Sequence, residues 1–169
     1  MVTVFDEDRI RLEAAALGRS ARTTFVAACA ECLWPLVERY AGVVSMPDAD
    51  LLALRAFLDR AWDAAIRGVG DLTSDSRLAE ELIPSGDDGW VRESGYAQNG
   101  IAAIAYAART WMSGDPQEAV WGARQVYEAA DYGAQLDEPP AVKIYTPEVE
   151  EALASSILVQ AAIKAVFED

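Results

Sequence analysis

The sequence predicts an all-α fold, a compact bundle of about seven helices around a buried central helix at about 88–112. Three observations lead there. Apolar residues recur at i, i+3 and i+4 along most of the chain. Prolines, glycines and acidic caps punctuate it at helical lengths. The run Ile101-Ala102-Ala103-Ile104-Ala105-Tyr106-Ala107-Ala108 carries no charge on any face, which marks a helix enclosed by its neighbours. Its alanines and Gly100 keep it slender, and Asp87, Asp88 and Arg109 fall at its ends.

The first helix opens at Asp6 and runs to about Leu17, with Gly18 as its stop and Val4 and Phe5 folding back as an apolar anchor. The second begins near Ser20 and carries the stripe Phe25, Val26, Cys29, Cys32, Leu33, Leu36, Val37 and Tyr40, ending at Gly42. Pro35 deprives the Glu31 carbonyl of its partner, so a kink is expected there. Pro47 and Asp48 open a third helix with Leu51, Leu54, Leu58, Ala61, Trp62 and Ala65 facing the core. Gly68 and Gly70 stop it. A short fourth helix fits Ser74 to Leu82, and Pro84 begins the turn into the central helix.

Asp115-Pro116-Gln117-Glu118 combines an acidic cap, a proline at the first helical position and a glutamate three residues past the cap. A sixth helix starts there and buries Val120, Ala123, Tyr127 and Ala130. Tyr132 to Tyr145 reads as a long irregular piece, held extended by Pro139-Pro140. Within it, Ala141 to Tyr145 could pair as a strand with Val2-Thr3-Val4. Thr146-Pro147 caps a last helix through Val149, Leu153, Ile157, Ile163 and Phe167. No repeat or linker interrupts the pattern, so residues 1–169 read as a single all-helical domain.

Charge narrows the function. With 28 acidic and 14 basic residues the net charge is −14. That disfavours nucleic acid and anionic membranes, which need a positive surface. It suits a basic protein partner, although acidity also serves solubility alone. No apolar run approaches the ~20 residues of a membrane span. The first eight residues lack the basic region and apolar core of a secretory signal, so a cytoplasmic protein is expected. There is no histidine, which removes His-containing triads and the commonest metal ligand.

Cys29-Ala30-Glu31-Cys32 has the spacing of a redox pair or half a metal site. Further ligands are missing, and both sulfurs are expected on the buried stripe, slow to react. Glu80, Glu81, Asp87 and Asp88 gather near the start of the central helix, where acids cap free N–H groups or hold a hard cation. Glu128-Ala129-Ala130-Asp131 before Glu148-Val149-Glu150-Glu151 reverses the E-x-x-E then E-x-x-D order of helical nucleotide pyrophosphatases. Asp59 and Asp63 read as a solvated face. No cofactor, metal or catalytic set is expected. The acidic runs 71–93 and 131–151 each carry an aromatic residue, and they nominate Glu80, Glu81, Asp87, Asp88, Trp90, Asp137, Glu138 and Tyr145 as a partner-binding surface.

Phe25-Val26-Ala27-Ala28-Cys29-Ala30-Glu31 with Trp34-Pro35 and Tyr40, then Leu58-Asp59 and Trp62, then Glu81-Leu82-Ile83-Pro84 with Asp87-Asp88, resembles the YjaG-like bacterial proteins. These are small all-helical proteins of unknown function, and the likeness covers about Phe5 to Asp131. In the family pattern an arginine follows the glutamate matched by Glu31, where this chain has Cys32, so C-x-x-C is not a family motif. The resemblance implies the helical fold and brings no activity.

The sequence therefore favours a non-enzymatic acidic protein acting by protein–protein binding, one form being an immunity-type inhibitor of a basic toxin. Two alternatives differ in class. One is a Mg²⁺-dependent hydrolase using Asp87, Asp88, Glu128 and Asp131. The other is a homodimer whose acidic faces keep it soluble.

Overall fold

Asp6 has extended backbone, and its carboxylate accepts the Arg9 amide N–H at 3.0 Å, starting α1 (Glu7–Ala16). That satisfies one of the donors a helix N-terminus leaves open. The structure is a computed structural model describing residues 5–86 and 89–137. Among the described residues it is all-helical, with six helices and no strand. The expected last helix from Thr146 and the strand pairing of Val2–Val4 with Ala141–Tyr145 lie outside the described residues.

α2 (Arg19–Val44) buries Val26, Cys29, Leu33, Val37 and Tyr40 at helical spacing. It continues through Pro35, which lies on the exposed side. It also continues through Gly42, which the sequence nominated as its stop. Gly42 costs a helix about 1 kcal/mol, but the turn that holds it also buries Tyr40 and Ala41. The helix closes two residues after Val43, at Ser45, whose φ of 53° is left-handed and whose N–H reaches the Ala41 carbonyl.

α3 (Asp48–Arg67) begins after Pro47 and is closed by Gly68 at φ 73°, as its caps predict. α4 (Thr73–Glu81) is the short helix before Pro84. α5 (Arg92–Ser113) starts four residues later than expected. The Ser94 hydroxyl accepts the Val91 N–H at 3.1 Å, so the first turn is organised by a residue inside it. α6 (Pro116–Asp137) starts after Asp115, whose carboxylate accepts the Gln117 N–H at 2.9 Å. It does not end near Tyr132. The Tyr132 hydroxyl donates to the Arg92 carbonyl at 3.0 Å and its ring packs edge-on against Tyr96. Those contacts hold in helix six residues, 132–137, that read as irregular.

α5 packs against α2, α3, α4 and α6. Gly100, Ile101, Ala103, Ile104, Ala105, Ala107 and Ala108 are buried, while Ala102 and Tyr106 are partly exposed. Leu54, Leu58, Ile101, Ile104, Val26, Val37 and Val120 are the largest fully buried side chains. Small residues let the helices approach. A Cβ on Gly100 would stand 2.5 Å from Val37, and one on Gly122 would run into Val26.

Arg22 ties the ends together. Its buried guanidinium donates to the Ala14 carbonyl at 2.8 Å, to the Leu17 carbonyl at 2.7 Å and to the Gly114 carbonyl. These are the C-terminal ends of α1 and α5, where carbonyls lack intrahelical partners and the dipole favours a cation. Among the described residues, no helix is long and apolar enough to cross a membrane.

Candidate functional site

The nominated acidic surface is reached in part. Glu80 and Glu81 stand at the end of α4, both exposed. Glu81 pairs with Arg77 one turn earlier at 2.6 Å. Glu80 pairs across to Arg109 of α5 at 3.3 Å. Trp90 is 47% exposed, a large ring left in solvent just before α5. Asp87, Asp88, Glu138, Tyr145 and the side chain of Asp137 lie outside the described residues.

Sequence reading missed the group around Arg109. Its guanidinium bonds Glu118 at 2.9 Å as well as Glu80, and stacks over the rings of Tyr106 and Trp121. Three helices thus meet through one cation. Burial of the Tyr106 ring pushes its phenol above the ordinary value, with the Arg109 charge opposing. Glu118 is buried, and its second carboxylate oxygen has no hydrogen-bond partner among the described residues. The capping pattern placed Glu118 on its own helix start. It serves Arg109 instead because α5 brings a full positive charge within reach.

A second group gathers on the α2–α3 surface. Arg55 bonds both Glu31 oxygens at 2.8 and 3.0 Å and Asp59 at 2.6 Å, and it lies over the Trp34 ring. Trp62 donates to Glu31 at 3.3 Å. The Arg55 hydrogen bonds hold the Glu31 carboxyl below the usual glutamate range, against its partial burial. The residues quoted for the family resemblance, Glu31, Trp34, Asp59 and Trp62, therefore meet in space. Asp59 is an ion-pair member, whereas Asp63 pairs with Arg67 on the exposed face.

The two cysteines part company. Cys29 is buried, and burial foremost, with Cys32 nearby, pushes its thiol up to about 12. Cys32 is exposed, which corrects the expectation that both lie inside. At a helical spacing of three residues the stripe's edge, not its centre, carries Cys32.

Cys32 opens onto a groove of about 520 Å³ between α2, α5 and α6. Leu33, Leu36, Tyr96 and Val126 wall it, Ala129, Ala130 and Gly133 give it depth, and Arg39 and Arg92 also line it. Nothing in the sequence pattern signals this groove, because its sides come from three separate helices.

Of the carboxylates proposed for a metal, Asp87 and Asp88 lie outside the described residues, and the other two are otherwise engaged. Glu128 pairs with Arg124 at 2.6 Å and Asp131 accepts from Gln135 at 2.6 Å. Among the described residues no three carboxylates or thiols gather as a metal site would need.

Most of the arginines have acidic partners. Arg9, Arg11, Arg39, Arg55, Arg60, Arg67, Arg77, Arg109 and Arg124 form ion pairs. Arg19 lies over the Trp111 ring and Arg22 is held by carbonyls. Glu38, Asp48 and Asp50 have no cationic partner among the described residues. Glu38 and Asp48 are exposed to solvent and Asp50 partly so. Comparison with protein-family models, curated proteins and solved structures finds no match to this chain.

Proposed function

We propose that this protein acts by binding a basic protein through its acidic surface and catalyses nothing. An immunity-type inhibitor that covers the cationic face of a toxin is the form that suits its charge. One observation carries the reading: nine arginines already form ion pairs within the fold, while the net charge is −14 and Glu38, Asp48 and Asp50 have no cationic partner among the described residues. A surface of one sign accelerates encounter with the opposite sign and repels the wrong partners. The exposed ring of Trp90, in the connection between α4 and α5, adds the kind of anchor that interfaces favour.

The same reading takes the chain as one domain, kept in the cytoplasm, in which α5 is the centre of a bundle of about seven helices. It also takes the chain as a relative of the YjaG-like family, on the residues that resemble it. The scaffold supplies rigidity and the acid supplies recognition.

Affinity purification from the source cell at low ionic strength tests this. The expected result is a basic protein recovered in stoichiometric amount and released by salt, since screening shortens the reach of surface charge. Recovery of no basic protein, with the bait folded, would overturn the proposal.

A further inference from the structure

α2 and α6 touch where Gly122 meets Val26. Farther along both helices lies the groove of about 520 Å³ that Cys32 borders. Its size falls within the range of about 300–1,000 Å³ typical of small-ligand sites. Its walls are aliphatic or aromatic, and the small side chains of α6 let an occupant approach the helix backbone.

Arg39 breaks that apolar lining with a guanidinium that is 65% exposed. It spends a single nitrogen on Glu93, at 3.1 Å, which leaves further N–H donors on the same fork. In a chain of net charge −14, an apolar groove lined by two arginines selects by charge. A neutral amphiphile can meet those donors with only an uncharged hydrogen bond, and a cationic one is opposed by the guanidinium.

We propose that this groove binds a free medium-chain carboxylate, with its hydrocarbon against Leu33, Leu36, Tyr96 and Val126 and its carboxylate on Arg39. The proposal rests on the groove and on Arg39, so it stands or falls independently of the protein-binding reading. Each methylene withdrawn from the groove weakens binding about fourfold.

The exposed Cys32 thiol reports occupancy in the intact chain, because a ligand in the groove shields it. Iodoacetamide alkylation of Cys32 is followed with decanoate below its micelle concentration. At decanoate about ten times its Kd the rate is expected to fall about tenfold. Octanoate needs about fifteen times the concentration, two methylenes being lost. Decanol and decyltrimethylammonium protect more weakly than decanoate at equal concentration, having the hydrocarbon but not the charged contact with Arg39. Ala130→Phe fills the groove and abolishes decanoate protection with the melting curve retained. If that chain fails to fold, Arg39→Gln serves instead and weakens decanoate without weakening its neutral analogue further. Equal protection by decanol and decanoate overturns the proposal. So does a Cys32 already shielded in the ligand-free chain, which means the protein's own residues or a second copy fill the groove. Protection by phosphatidylglycerol vesicles but not by decanoate assigns the groove to a membrane surface and overturns it too.

Discussion

The ring of Tyr132 on α6 occupies the space that a side chain on Gly95 of α5 would need. A Cβ built on Gly95 would stand 2.5 Å from two ring carbons. The tyrosine hydroxyl then reaches the Arg92 carbonyl at 3.0 Å, three residues earlier on α5. One missing methyl group thus joins the start of α5 to the last turns of α6, beside the groove.

Gly95→Ala is therefore expected to destabilise the fold by about 1–3 kcal/mol through overpacking. Tyr132→Ala alone removes the ring and is also costly, but in the double variant the alanine no longer clashes. Thermal melts of the four chains give the coupling, and strictly additive effects would contradict the contact.

Arg22 joins the C-terminal ends of α1 and α5 by donating to three carbonyls at once. Arg22→Leu leaves the carbonyls of Ala14, Leu17 and Gly114 without their guanidinium, and an expected loss of about 2–4 kcal/mol follows. Arg22→Lys should rescue little, since a point ammonium cannot span three carbonyls as a planar fork does. Denaturant titration of both variants measures this; a near-native midpoint for the leucine variant would refute it.

The thiols should titrate one and one. Cys32 reacts promptly in the native ligand-free chain, and Cys29 waits for unfolding because its thiolate is suppressed, the thiol being pushed up to about 12. Two fast thiols, or none, contradict the assignment of a single exposed sulfur. Cys29→Ser should leave the fast phase intact.

Acid should weaken the α2–α3 ion pair in a defined order. Arg55 lowers the folded carboxyl of Glu31 below its unfolded value. The pair's contribution is thus fully present above the unfolded value of about 4.3 and is lost as pH falls through the folded one. Glu31→Gln should flatten that part of the stability curve and leave neutral pH nearly unchanged, since the pair is partly solvent-exposed. An unaltered acid limb in the glutamine variant would show that another carboxylate governs it.

Local chemistry made much of this fold readable. Asp6, Pro47, Gly68 and the Asp115-Pro116 step act at helix ends through their own backbone and side-chain preferences, so sequence alone locates them. Gly42 and the segment 132–137 misled because tertiary contacts override weak local preferences there. Tyr40 and Ala41 are buried on the turn that holds Gly42, and Tyr132 is held from α5. The site was less legible still. Glu118 looked like a cap because the pattern within its own helix cannot reveal that Arg109 faces it from α5. Cys32 sits at the edge of a stripe, where spacing does not decide between core and groove.

The central claim is that acid left unpaired by the fold recruits a basic protein. The direct measurement compares low-salt capture by the native chain with capture by a chain carrying Glu38→Lys, Asp48→Lys and Asp50→Lys together. The account predicts that the native chain retains a basic partner, and that the reversal slows association about tenfold or more in a chain that still folds, with its melting point lowered because Asp48 and Asp50 lie in the first turn of α3. Equal capture by the two chains at every salt concentration would contradict it.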